Sequence, residues 1–423
     1  MPGHKGKAIL GLEHLDITEI QGADSLYEAD GIIAESEANA SELFGCKTYY
    51  STEGSSQCIR AMIYLAVLSA KKQGKRSLIA VGRNAHKTFH SAAALLDVDV
   101  DWIYPRQMDS YLSCSLDGDD IIAYLKETSE KPTAIYITSP DYLGKTCDIA
   151  SISEICKKEG ILLLVDNAHG AYLKFLPRSK HPIDLGADIC CDSAHKTLPV
   201  LTGGAYLHIS DKLHSELSGA IKSALALFGS TSPSYLILQS LDAANVYLEK
   251  HRERLEAFIV KVDHLKNRLL DYGYVLYGDE HLKITIDSKA YGYSGRDLAR
   301  SLLENNIVCE LCDEDNVVLM LTPENTDEEL LTLERALLSI EKKSPIIKKA
   351  PVFHKLKQVI AFREAALSVS EEMPIEKCEG RIAAMTTVGC PPAVPIVVSG
   401  ELIDSEAIAC MKYYGIDSCN VIK

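Results

Sequence analysis

The sequence predicts an α/β protein: a mostly parallel sheet covered by helices, then a smaller α+β domain and a C-terminal α+β segment. Three observations lead there. Between about residues 57 and 210, helical and strand patterns alternate, as they do where crossover helices join parallel strands. The strand candidates are short apolar runs. The residues with chemical potential follow those runs, where open α/β sheets bind their ligands.

Residues 57–72 place apolar side chains at helical spacing and end in Lys71-Lys72-Gln73-Gly74. Residues 77–81 form a short apolar strand, and 133–138 another, closed by Ser139-Pro140. Ile149–Glu159 reads as a helix, 161–165 as a strand, and 189–191 and Ala205–Ile209 as two more. From Pro233 to about Tyr272 a long helix is predicted, broken near its middle or continuous, with 249–254 as a solvated face. Strands at 282–287 and 316–321 with helices at 295–304 and 326–342 make the smaller domain. Lys342-Lys343-Ser344-Pro345 marks a boundary. Beyond it lie a predicted helix over 355–368 and a proline-rich stretch, Gly389 to Pro395. The expected division is an N-terminal segment 1–30, a cofactor-binding large domain 31–250, a small domain 251–345 and a C-terminal domain 346–423.

A chain of 423 residues exceeds one ordinary core, which is why several domains are expected. Its 47% hydrophobic and 24% charged residues are those of a soluble enzyme, and no apolar run is long enough to span a bilayer. The N-terminus has no long apolar stretch, so no secretory signal is expected. A net charge of −15 argues against nonspecific nucleic-acid binding. The thirteen cysteines are scattered, with Cys58, Cys156, Cys190 and Cys191 inside apolar patterns. They read as reduced, mostly buried thiols of a cytoplasmic protein. Cys309 and Cys312 form one CxxC without a second pair, so no metal is expected.

Lys196 and Asp166 carry the chemistry. Asp166 ends the apolar run Leu-Leu-Val in 163–171, and Lys196 stands in Asp-Ser-Ala-His-Lys-Thr-Leu-Pro, 192–199, read as a strand ending in a loop. Pyridoxal phosphate requires such a pair: a lysine to hold the aldehyde covalently and an acid to keep the pyridine nitrogen protonated. Gly54-Ser55-Ser56 opens a helix and suits the phosphate, with Ser193 and His195 as further contacts. His86 in Arg83-Asn84-Ala85-His86-Lys87 follows a strand and is placed to stack on the ring, and His169, three residues after Asp166, competes with it.

These pieces resemble the ornithine/lysine/arginine decarboxylases of the bacterial type, over nearly the whole chain. The resemblance rests on Pro2-Gly-His-Lys-Gly6, Asp16-Ile-Thr-Glu19, Gly54-Ser-Ser56, Arg83-Asn-Ala-His-Lys87 and Ser139-Pro-Asp-Tyr-Leu-Gly144. It rests equally on Asp166-Asn-Ala-His-Gly170, Ser193-Ala-His-Lys-Thr197, Ser230-Thr-Ser-Pro-Ser-Tyr235, Pro391-Pro-Ala-Val-Pro395 and Gly400-Glu401. It implies the aspartate-aminotransferase-like fold, PLP-dependent transferase fold type I, with Lys196 as the Schiff-base lysine, Asp166 as the pyridinium partner and His86 on the ring. Ala168 and His169 join the cofactor site, and Ser55, Ser56, Ser193 and His195 hold the phosphate. Thr231 and Ser232 reach a neighbouring subunit's phosphate, which implies a homodimer or higher even homo-oligomer. The receiver-like N-terminal wing domain of the large inducible members is expected to be absent. Asp141 stands where the family usually has Thr, Cys390 where it has Tyr, and Ala393 where it has Gly.

The expected activity is decarboxylation of a basic L-amino acid to a polyamine or its precursor. Glu401, Glu19 and Asp141 are candidates to read the substrate's side chain. Transamination would leave Lys196 and Asp166 unchanged and would enlist an arginine such as Arg106, Arg178 or Arg296. The third reading is a catalytically impaired PLP-binding protein.

Overall fold

Leu162–Asp166 is the strand around which the protein is arranged. It lies at the centre of a seven-stranded sheet, and four of its five residues are buried. Burying three aliphatic side chains there contributes about 1.5–3 kcal/mol each. The computed structural model describes residues 2–106, 110–385, 388–389 and 391–423.

The strands of this sheet are β1 (Lys47–Ser51), β2 (Leu78–Gly82), β3 (Asp99–Ile103), β4 (Ala134–Thr138), β5 (Leu162–Asp166), β6 (Ile189–Asp192) and β7 (Ala205–Ile209). Their order is β1-β7-β6-β5-β4-β2-β3. β4, β5 and β6 pair in parallel, and β7 and β1 close that edge antiparallel. The helices between them are α1 (Ile32–Phe44), α2 (Gly54–Lys72), α3 (Lys87–Leu95), α4 (Gly118–Glu127), α5 (Ile149–Glu159), the single turn α6 (Ala194–Thr197) and α7 (Asp211–Ala226). Local chemistry sets their ends. A capping box between Asp117 and Asp120 starts α4; Asp148 caps α5, and Gly160 stops it in the left-handed conformation. Contacts group residues 1–80, 117–139 and 148–255 into one unit, and 81–116, 140–147 and 256–423 into a second.

The long helix predicted from Pro233 is two: α8 (Tyr235–Glu249) and α9 (His251–Tyr272). Ser234 caps α8, so Thr231 and Ser232 lie outside its first turn, in an exposed loop. His251, expected on a solvated face, is fully buried against Phe175 and Tyr247.

The second unit holds a four-stranded antiparallel sheet of β8 (Leu276–Tyr277), β9 (Lys283–Asp287), β10 (Leu311–Cys312) and β11 (Asn316–Met320), with α10 (Gly295–Leu303) and α11 (Asp327–Ser339). The predicted helix over 355–368 shrinks to α12 (Phe362–Ala366). Its first half is drawn into strand-like pairing instead: Gln358 bridges Glu401, and Val359 N–H donates to Gly400 O. The pair β12 (Ser370–Pro374) and β13 (Ser418–Ile422), with α13 (Ser405–Tyr413), completes the C-terminal part.

Candidate active site

β5 and β6 end side by side, with Asp166 in register with Cys191, and the chain beyond each strand turns back at once. This is what brings the two sequence signatures together. Lys196 sits on α6, a helical turn rather than the expected loop, and its Nζ lies 2.9 Å from His169 Nε2. His169 belongs to the turn that follows Asp166.

Asp166 is buried and well supplied with donors. Tyr136 O–H donates to Oδ2 at 3.0 Å, and Ala168 N–H donates to Oδ1 at 3.2 Å. Burial raises its carboxyl above the ordinary carboxylate range, and the positive charge of Lys196 opposes that rise. An acid held this way gains from a further cation beside it, and a protonated pyridine nitrogen is one.

Residues expected at the phosphate also come together. Gly54, Ser55 and Ser56 form the first turn of α2, which no side chain caps. Ser193 Oγ donates to Ser55 Oγ at 2.8 Å, so hydroxyls from the two signatures meet there. Gly54 N–H is spent on Gly203 O, at 2.7 Å, and the positive end of the α2 dipole favours an anion beside this turn. Gly54 has φ +70°, a Cβ on it would meet nothing within 4 Å, and the space before the helix is open. His195 is held by one ring nitrogen: its Nδ1–H donates to Gly204 O at 3.1 Å, and burial lowers its pKa. Lysine, acid, uncapped helix start and paired hydroxyls fit pyridoxal phosphate.

His86 belongs to the second unit, where it caps α3 by accepting from Thr88 N–H through Nδ1 at 3.1 Å. Two acids considered for substrate recognition are committed elsewhere. Asp141 is buried, accepts from Ser113 Oγ at 2.6 Å and Lys145 N–H at 2.9 Å, and is pushed up to about 6 by burial. Glu401 is buried against Arg83, with Oε2 accepting from Arg83 Nη2 at 3.3 Å and Val398 N–H at 2.7 Å. Glu19 is exposed and accepts from Thr18. Ala393 has φ +55°, the left-handed conformation that glycine adopts without strain. Cys390 lies outside the described residues. Most of the cysteines described are buried.

Sequence reasoning missed Asp192, His181 and His208, a buried polar cluster at the end of β6. Two signals were present: an acid ending an apolar strand, as Asp166 does, and a histidine inside the apolar strand Ala-Tyr-Leu-His-Ile.

The family model described as Orn/Lys/Arg decarboxylase, major domain, matches residues 6–286, and that of the C-terminal domain matches 347–417. The chain is 29% identical to an arginine decarboxylase of Bacillus subtilis over 448 residues, which covers 97% of this chain and 88% of that protein. Among solved structures, a lysine decarboxylase of Francisella novicida superposes with a TM-score of 0.79 at 16% identity. Lysine decarboxylase A of Pseudomonas aeruginosa does so at 0.81 and 16%. Each of these covers 100% of this chain and 78% of the other.

Proposed function

The chain belongs to the Orn/Lys/Arg decarboxylase family and is a pyridoxal-phosphate-dependent decarboxylase of basic amino acids, and we propose that its catalytic centre is built on Lys196, Asp166 and His169. The observation that carries this reading is the meeting of the three at the ends of β5 and β6. Bound pyridoxal phosphate supplies the electron sink for the pair released when the α-carboxylate leaves as CO2. Lys196 Nζ would be the group that holds the cofactor covalently through its aldehyde. Asp166 holds the proton on the ring nitrogen, and the Tyr136 hydroxyl and Ala168 N–H keep its carboxylate aimed. His169 holds Lys196 Nζ in place and can pass a proton to or from it. Ser55, Ser56 and Ser193, with the N-terminus of α2, bind the phosphate. His86 would supply the ring-stacking side chain that the family resemblance assigns to it.

Arginine is the substrate this reading favours, because the relative matched over nearly all of the chain is named for it. Neither Asp141 nor Glu401 reads the guanidinium, since both are paired internally. The working form is a homodimer in which exposed Thr231 and Ser232 serve the partner's phosphate. Among the described residues no helix is long and apolar enough to cross a membrane, and we place the enzyme in the cytoplasm, in polyamine biosynthesis. Trapping of CO2 from carboxyl-labelled arginine, lysine and ornithine tests the reading. Release from arginine at the highest kcat/KM is expected. Release from lysine or ornithine alone refutes arginine, and release from none refutes the assignment of an active site.

A further inference from the structure

Asp192 is a second acid at the end of a central strand, and the mechanism above gives it no task. It has no solvent exposure. Its Oδ2 accepts from His181 Nε2 and His208 Nε2, each at 3.1 Å, and its Oδ1 accepts from Asn167 Nδ2 at 2.6 Å. His208 is fixed in turn by Thr48 Oγ1, 3.0 Å from its Nδ1. Burial pushes the Asp192 carboxyl up, but His181 and His208 outweigh this and hold it below the usual range. Cys190 lies close enough to form a three-atom cluster with His181 and Asp192. Burial, however, keeps that thiol far above its ordinary pKa, and Asp192 Oδ2 already takes two N–H groups. As it stands the cluster is a hydrogen-bond anchor, with Asp192 at its centre.

Asn167 is what the anchor holds. Its backbone N–H donates to Cys191 O at 3.0 Å, extending the β5–β6 ladder by one residue, and its O accepts from Gly170 N–H at 2.7 Å. Its side-chain Oδ1 has no hydrogen-bond partner among the described residues. A Cβ on Gly170 would come within 2.0 Å of that oxygen, so the turn closes tightly on the amide, which would have to move to admit a side chain there. Among the described residues, the 2.6 Å bond from its Nδ2 to Asp192 Oδ1 is the side-chain hydrogen bond that orients the Asn167 amide. The turn held this way runs from Asp166 through Ala168, which bonds Asp166, to His169, which bonds Lys196. Asp192 itself directly precedes Ser193 and the turn that bears Lys196.

We propose that Asp192, acting through Asn167, is a positioning residue for the decarboxylation: it locks the 166–170 turn against the 192–197 turn, so that Asp166, His169 and Lys196 keep one relative geometry. The proposal rests on the assignment of Lys196 and Asp166 to the cofactor. Displacement of reacting groups by about 1 Å costs about 100-fold in rate, whereas substrate binding responds far less.

The holoenzymes of Asp192→Asn and Asn167→Ser test it. Asp192→Asn keeps the volume and one acceptor, and Asn167→Ser shortens the arm and leaves the anchor whole. In both, kcat should fall by about 100-fold with KM little changed, and the visible circular dichroism of the bound cofactor should change. The double variant should be no worse than the more impaired single one, because the two act as a unit. Wild-type kcat and dichroism in folded holoenzymes, with only the melting temperature lowered, would make the cluster purely structural and overturn the proposal. Additive losses in the double variant would overturn the route through Asn167. Should Asp192→Asn fail to fold, Asn167→Ser decides by the same criteria. Lys196→Ala, prepared alongside, separates the two levels. If it keeps a borohydride-sensitive chromophore, the cofactor assignment has failed. If it loses the chromophore while Asp192→Asn and Asn167→Ser match the wild type, only the positioning role has failed.

Discussion

His169 Nε2 lies 2.9 Å from Lys196 Nζ, so the lysine singled out by sequence has its partner on the turn that presents Asp166. On the proposed reading, one short turn serves both ends of the cofactor's chemistry, the aldehyde and the ring nitrogen.

Removal of that lysine is the most direct test. Lys196→Ala should lose the borohydride-sensitive visible chromophore and all turnover, while circular dichroism in the far ultraviolet stays native. A purified variant that retains the chromophore identifies another lysine as the anchor.

Asp166→Asn should keep pyridoxal phosphate bound and lose about 100- to 1,000-fold in kcat, because an amide cannot hold the ring proton that makes the site an electron sink. Tyr136→Phe removes one donor to the same carboxylate. Losing one such bond is worth about 1 kcal/mol, roughly fivefold in rate. Near-native turnover in Asp166→Asn would refute the role of the acid, and Tyr136→Phe falling as far as Asp166→Asn would contradict this ranking.

How far the sequence was legible follows from where its residues are anchored. β5, α5 and β7 could be read within a residue or not at all displaced, because continuous apolar runs bounded by caps specify themselves. Asp166, Lys196, Ser55 and Ser193 were legible because they sit next to such runs, and the sheet brings their ends together. Residues 355–361 were not, since their backbone bonds go to Gly400 and its neighbours, far along the chain, and no local pattern encodes that. The same holds for Asp192: its acid was visible, but its partners His181 and His208 come from separate segments. Glu401 was one candidate to read the substrate's side chain; its partner Arg83 stands over three hundred residues earlier, and no local pattern encodes that pairing.

Asp141 should leave a signature in stability against pH. Its pKa is raised from 3.8 to about 6 in the folded protein, chiefly by burial. The folded state therefore binds this proton more tightly than the unfolded one. The stabilisation is fully present below about pH 4 and is lost as pH rises through about 6. The window corresponds to roughly 3 kcal/mol at 1.36 kcal/mol per unit. In urea titrations between pH 4 and 7, the wild type minus Asp141→Asn difference should fall with rising pH. A difference that stays flat, or rises, would show that Asp141 is ionised without penalty.

The Arg83–Glu401 pair predicts a structural and not a substrate-binding role for Glu401. Both side chains are almost wholly buried, and Arg83 also donates to Pro395 O at 3.0 Å and Ile396 O at 2.8 Å. Glu401→Ala leaves a buried guanidinium without its counter-charge and should destabilise the protein by about 3–5 kcal/mol. Glu401→Gln should fold better and retain the wild-type KM for arginine. A large rise in KM with unchanged stability would return Glu401 to the substrate pocket.

The shared active site is tested by mixing subunits. Thr231 and Ser232 are exposed in the loop before α8, and among the described residues they make no hydrogen bond to Ser55 or Ser193. If they complete the partner's phosphate site, Lys196→Ala homodimers and Thr231→Ala/Ser232→Ala homodimers are each impaired at both sites. A mixed dimer has one site carrying both lesions and one carrying neither. Co-refolded or exchanged mixtures should therefore recover activity, approaching one intact site per mixed dimer. The interface should be large and apolar, as in obligate dimers, and dilution should release cofactor together with subunits. Proven exchange without recovery, or a fully active monomer in sedimentation, would place the whole site within one chain.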